Sequence, residues 1–166
     1  MSKIILNNVR LSFPSLFEKA SFDGVLGKYE CSFLLSKKDT ETKAKIDEIL
    51  NDLTDGDNIK VNSDKIAIKD GDALEYDDYK GHWLIKCTNA KRPIVVGRDK
   101  GVITEDDGII YGGCYANASV SFWLQNNKYG KRINGNLHAV QFVKDGDSFG
   151  AGDAGGADDF DDLDDL

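Results

Sequence analysis

Residues 113–125 read GGCYANASVSFWL with Gln125 following, and every second side chain has the same character. Cys114, Ala116, Ala118, Val120, Phe122 and Leu124 fall on one side; Tyr115, Asn117, Ser119, Ser121 and Trp123 fall on the other. A period of two over this length is a strand with one buried face, because a helix would scatter the apolar set around its circumference. That strand needs partners. Residues 28–35 alternate the same way, with Tyr29, Cys31, Phe33 and Leu35 inward. Residues 4–13 alternate with a phase break near Asn7 and Asn8, which predicts a bulge. Further strands are predicted at 82–88, 93–97 and 136–143, and a short one at 65–69. Turn residues Asp99, Gly101, Asp107, Gly108, Asn126, Gly130, Asn134 and Gly135 separate them.

One helix is predicted. Asp39 or Thr40 caps it, Ala44, Ile46, Ile49, Leu50 and Leu53 recur at helical spacing, and it stops near Asp55 and Gly56. A mainly β chain with one helix after its second strand predicts an OB-type five-stranded barrel with long connecting loops; a sandwich is the alternative. The 166 residues suffice for one core, so neither disulfide nor metal is needed for stability. Cys31, Cys87 and Cys114 stand far apart in apolar strands, without the clustering that zinc requires, and read as buried hydrophobes in a reducing compartment. No apolar run approaches the ~18 residues of a membrane span. Met1 leads straight into a polar-apolar alternation without a basic n-region or an apolar h-region, so no signal peptide, a cytoplasmic location and no membrane association are expected.

Charge divides the chain in two. Nine of the 29 acids lie from Asp145 onward, where there is no Lys or Arg, so residues 1–144 carry 20 acids against 21 bases. A near-neutral body, residues 1–144, is thus joined to a concentrated anion, residues 145–166, which is the pattern of an interaction tail. Residues 146–156 are glycine-rich and predict a flexible linker. The last stretch, Asp158, Asp159, Phe160, Asp161, Asp162, Leu163, Asp164, Asp165 and Leu166, sets apolar side chains at regular spacing among aspartates. Calcium would need an interrupted DxDxDG loop with a distal glutamate, which is absent.

The polar face of the 113–125 strand carries Tyr115 and Trp123 beside Asn117. Aromatic rings on a wet sheet face stack unpaired bases, each worth about 1–3 kcal/mol without regard to sequence. The alternative is that both rings cover a small second core beneath a loop. Basic residues gather nearby: Lys80 with Tyr79, Lys86, Lys91, Arg92, Arg98 and Lys100, then Lys128, Tyr129, Lys131 and Arg132 after Trp123. That mixture suits a groove that tracks phosphates, and scattered solvated lysines are its bland counterpart. The acids Asp70, Asp72, Glu75, Asp77 and Asp78 read as a solvated loop rather than a magnesium site, because no P-loop, nucleophile elbow or histidine set accompanies them. No enzymatic activity, metal or cofactor is therefore expected.

The stretches NVRLSFPSLFEK (8–19), GKYECSFLLSKKD (27–39), YGGCYANASVSFW (111–123) and LHAVQFVKDGDSFG (137–150), with the acidic end, resemble the phage single-stranded-DNA-binding proteins of the DUF2815 type. These are similar in layout to the single-stranded-DNA-binding proteins of T7-like phages. The resemblance implies an OB-type fold, sequence-tolerant binding of single-stranded DNA in phage DNA replication, recombination and repair within the bacterial host cell, and an acidic tail that recruits replication or recombination proteins. Arg10 joins the candidate DNA-binding residues because it leads the RLSF motif beside a barrel strand. The competing expectation is an interaction or inhibitory module without DNA affinity, its acidic tail mimicking nucleic acid. Homo-oligomerisation is left open.

Overall fold

The computed structural model describes residues 3–22 and 24–149. The acidic stretch 158–166 lies outside the described residues. In chain order the elements are β1 (Ile4–Ser15), β2 (Ser21–Phe22), β3 (Val25–Leu26), β4 (Tyr29–Ser36), α1 (Thr40–Leu53), β5 (Ile68–Asp70), β6 (His82–Asn89), β7 (Ile94–Val96), β8 (Tyr115–Asn127) and β9 (Gly130–Lys144).

Five strands close on themselves. The sheet runs β5-β6-β4-β1-β8-β9-β7, and a parallel pairing of β6 with β9 joins the two sides. The circuit β6-β4-β1-β8-β9 is the five-stranded OB barrel expected from the sequence, with β5 and β7 as extra strands. Closure is local: only Cys87↔Gly135 and Thr88↔Asn136 pair across the seam. Above it β6 and β9 separate, and residues 66–68 fill the opening. Ala67 N–H donates to the Ile133 carbonyl (2.9 Å), and Lys86 N–H donates to the Ala67 carbonyl (3.0 Å).

The core is built from the inward residues read off the alternation, among them Leu6, Val9, Phe33, Ile85, Ala116, Val120 and Leu137. All three cysteines are buried and free, as expected. Burial pushes the Cys87 thiol well above its ordinary range. The phase break at Asn7 and Asn8 is a bulge. The β1–β8 register shifts between Leu6 and Val9, and Asn8 takes φ 53°. Asn8 N–H donates to the Asn117 side-chain carbonyl (2.9 Å), so the bulge is closed by a polar residue of the neighbouring strand. Both Leu6 and Val9 thereby reach the core. Helix α1 is capped by Asp39, whose carboxylate accepts the Thr42 N–H (3.1 Å), and it sets Ile46, Ile49, Leu50 and Leu53 against the core.

Two expectations need correction. Asn134 and Gly135 are not turn residues but lie inside β9, which begins at Gly130 rather than 136. Gly135 sits where the barrel seam is tightest: a Cβ there would lie 2.8 Å from both Cys87 Sγ and the Lys86 carbonyl. The short strand expected at 65–69 is displaced to Ile68–Asp70, after a 3-10 turn at Ser63–Lys65. The body also continues past residue 144. Tyr111 hydroxyl donates to the Asp145 carboxylate (2.9 Å) and accepts the Gly146 N–H (3.0 Å), and Phe149 N–H donates to the Gly112 carbonyl (3.2 Å).

Candidate nucleic-acid interface

The outward side chains of β4, β6 and β9 form the floor of a cleft of about 380 Å³. Ser32 comes from β4, Leu84, Lys86 and Thr88 from β6, and Arg132 and Asn134 from β9. Lys65, Lys69 and Asp64 come from the segment that fills the seam. Four cations thus face one acid in the cleft lining. Lys86 is partly engaged by Glu30 at 3.4 Å, with Lys86 well exposed, so the pair is weak. Trp123 borders this cleft, because it pairs with Asn134 across the β8–β9 ladder. It is half-buried and is not among the side chains packed on the core, unlike its neighbour Leu124. The hairpin beyond presents Lys128 and Tyr129, with the lysine 5.1 Å from a ring that is 75% exposed. Lys131 extends the same hairpin opposite Asn126.

The predicted residues separate into distinct groups. Lys86 and Arg132 line the cleft and Trp123 borders it, while Lys128, Tyr129 and Lys131 lie farther out on the β8–β9 hairpin. Tyr115 lies at the opposite end of β8 from Trp123, facing Arg10 on β1 and Lys144 on β9. Eight residues of strand separate the two rings, roughly 26 Å. Lys144 Nζ is 4.9 Å from the Tyr115 ring centre. Arg10 donates through Nε to the Gly113 carbonyl (3.0 Å) and through Nη2 to the Asp147 carbonyl. Asn117 is spent on the β1 bulge and on Gln141. Tyr79 is 6% exposed and shares a hydrogen bond with Ser12 (2.7 Å), so it is a packing residue and not part of a wet face. Lys80 donates to the Asp72 and Leu74 carbonyls, Arg92 to Phe17, and Arg98 to Val143 (3.1 Å), while Lys91 and Lys100 occupy exposed turns.

Lys65 and Lys69 escape the sequence reading, since nothing local announces that residues 63–70 will be laid beside β6 and β9. The acidic loop also acquires a structural account. Lys37 bridges Asp70 and Asp72 at 2.6 Å each and holds both carboxyls below their ordinary range, largely through those hydrogen bonds. Among the described residues no group of three or more His, Cys, Asp or Glu side chains is placed to hold a metal ion. No described helix is long and apolar enough to cross a membrane.

A closed five-stranded barrel whose second and third strands floor a cationic cleft, with the hairpin of its fourth and fifth strands alongside, puts this chain in the OB-fold class. Within that class, the chain belongs to the family described as the ssDNA-binding protein of Enterobacter phage Enc34, whose profile matches residues 2–166. It is 38% identical to protein p50 of Acyrthosiphon pisum secondary endosymbiont phage 1 over 173 residues, 97% of this chain and 94% of that protein. The structure of the single-stranded DNA-binding protein from bacteriophage Enc34 in complex with ssDNA is 33% identical, with a TM-score of 0.81 over 89% of both chains. The bacteriophage T7 single-stranded DNA-binding protein gp2.5 shares the fold, at 16% identity and a TM-score of 0.60 over 98% of both chains. Motif resemblance and family match therefore agree at the level of phage ssDNA-binding proteins.

Proposed function

We propose that this chain is a non-catalytic, sequence-tolerant single-stranded-DNA-binding protein of phage DNA replication, recombination and repair. The observation that carries this is the cleft: Lys65, Lys69, Lys86 and Arg132 converge on a groove bordered by Trp123. The cations meet successive phosphates, and rings at the rim stack bases that no complementary strand covers. Family membership supports the same ligand. The acidic tail competes for the cleft when DNA is absent, because an aspartate run presents the same charge as a phosphate backbone. Once displaced, it offers Phe160, Leu163 and Leu166 to a replication or recombination protein, with charge steering the encounter.

Quenching of tryptophan fluorescence by oligo-dT tests the reading. Intact protein binds at low salt, removal of residues 150–166 tightens binding, and Lys86→Ala with Arg132→Ala weakens it about tenfold or more. Absence of binding at low salt, with and without the tail, would return the chain to the interaction-module alternative.

A further inference from the structure

This inference rests on the single-strand reading and concerns a second place on the barrel. One transverse row crosses five strands in register: Tyr115, Arg10, Leu34, Leu84 and Lys69 are successive cross-strand partners. Lys69 and Leu84 line the cleft, and Arg10 stands three strand spacings from Lys69, about 14 Å. At the Arg10 end the row is occupied. The guanidinium carbon is 4.1 Å from the Phe149 ring centre, and that ring meets Tyr79 edge-on at 6.4 Å. The backbone beneath is shaped for a close visitor. Gly113 has φ 115°, and a Cβ on it would fall 2.1 Å from the Asp147 carbonyl.

The occupant offers the groups of a nucleobase: in DGDSF (145–149) the Asp147 backbone carbonyl and the Phe149 ring meet Arg10, while the Asp145 carboxylate is held by the Tyr111 hydroxyl. A guanidinium plane under a ring is also how proteins hold splayed bases. We propose that Arg10, with the Gly112–Gly113 backbone, is a seat for one unpaired nucleobase, and that Phe149 fills it in the free chain. Binding of a strand in the cleft delivers a base to Arg10 and lifts Phe149 out. The seat therefore belongs to the DNA path, and the root of the tail is its resident surrogate, independent of the aspartates farther on.

The full-length protein carrying 4-fluorophenylalanine at position 149 provides the direct readout. Oligo-dT is expected to move the fluorine resonance to its solvent-exposed position, while an abasic oligodeoxyribose phosphate of equal length leaves it in place. Displacement by both polymers overturns the base seat in favour of phosphate competition. Displacement by neither, with oligo-dT binding confirmed by tryptophan quenching, overturns it as well. In unlabelled full-length protein, Phe149→Ala is expected to tighten oligo-dT binding about fivefold, the worth of one weakly stacked ring. Unchanged or weaker binding by a variant that melts normally overturns the proposal. Failure of every form to bind oligo-dT sinks the single-strand reading itself, and the seat with it.

Discussion

At the scale of single residues, the positions that matter most are those where backbone or burial leaves no alternative. Asn8 is asparagine because the β1 bulge needs φ 53°, a conformation that short polar side chains tolerate better than branched ones. Phe13 takes φ 50° at a second register shift, where a bulky residue is strained and its side chain stays exposed. His138 sits at the β8–β9 register shift with Nε2 2.8 Å from the Ser121 hydroxyl. Burial, aided by the charge of Lys3, lowers its pKa below the ordinary 6.5. The unfolded chain therefore binds more protons between the lowered value and 6.5, and stability is lost as pH falls through that window. Thermal melts at pH 7.5 and about pH 5.5 are expected to show a larger drop for the native protein than for His138→Gln, and equal drops would refute the assignment.

At the scale of elements, the barrel depends on how few residues close it. The β6–β9 seam rests on Cys87↔Gly135 and Thr88↔Asn136, and Gly135 allows the two strands to approach. Gly135→Ala forces a methyl into Cys87 Sγ and the Lys86 carbonyl, and is expected to cost about 1–3 kcal/mol in denaturant unfolding. An unchanged midpoint would mean that the seam relaxes without loss. The strands themselves were legible in sequence, because alternation over β4 and β8 leaves a single choice of inward face. The start of β9 was not. Asn134 and Gly135 carry the chemistry of turns, and only the packing of β6 against β9 makes the glycine a close-approach residue. The placement of segment 63–70 was equally hidden, since it comes from pairing with β6 and from bonding to Ile133 of β9, both far along the chain.

At the scale of the whole molecule, charge and shape combine in the cleft. On the proposed reading, up to four phosphates meet Lys65, Lys69, Lys86 and Arg132, so oligo-dT affinity of the protein without residues 150–166 should fall about 50-fold between 50 and 200 mM salt. Lys65→Ala with Lys69→Ala should halve the slope of log affinity against log salt. A slope unaffected by these changes would place the strand elsewhere on the barrel. The sequence by itself determined the strand faces, the capped helix, the buried cysteines and the division of charge between body and end, because each depends on neighbours within a few residues. Tertiary structure alone decided that Trp123 borders the cleft while Tyr115 faces Arg10 and Lys144, that Tyr79 is buried, and that Lys65 and Lys69 join Lys86 and Arg132. Those arrangements arise from register and barrel closure, which bring together residues separated by tens of positions, and no local pattern carries that information.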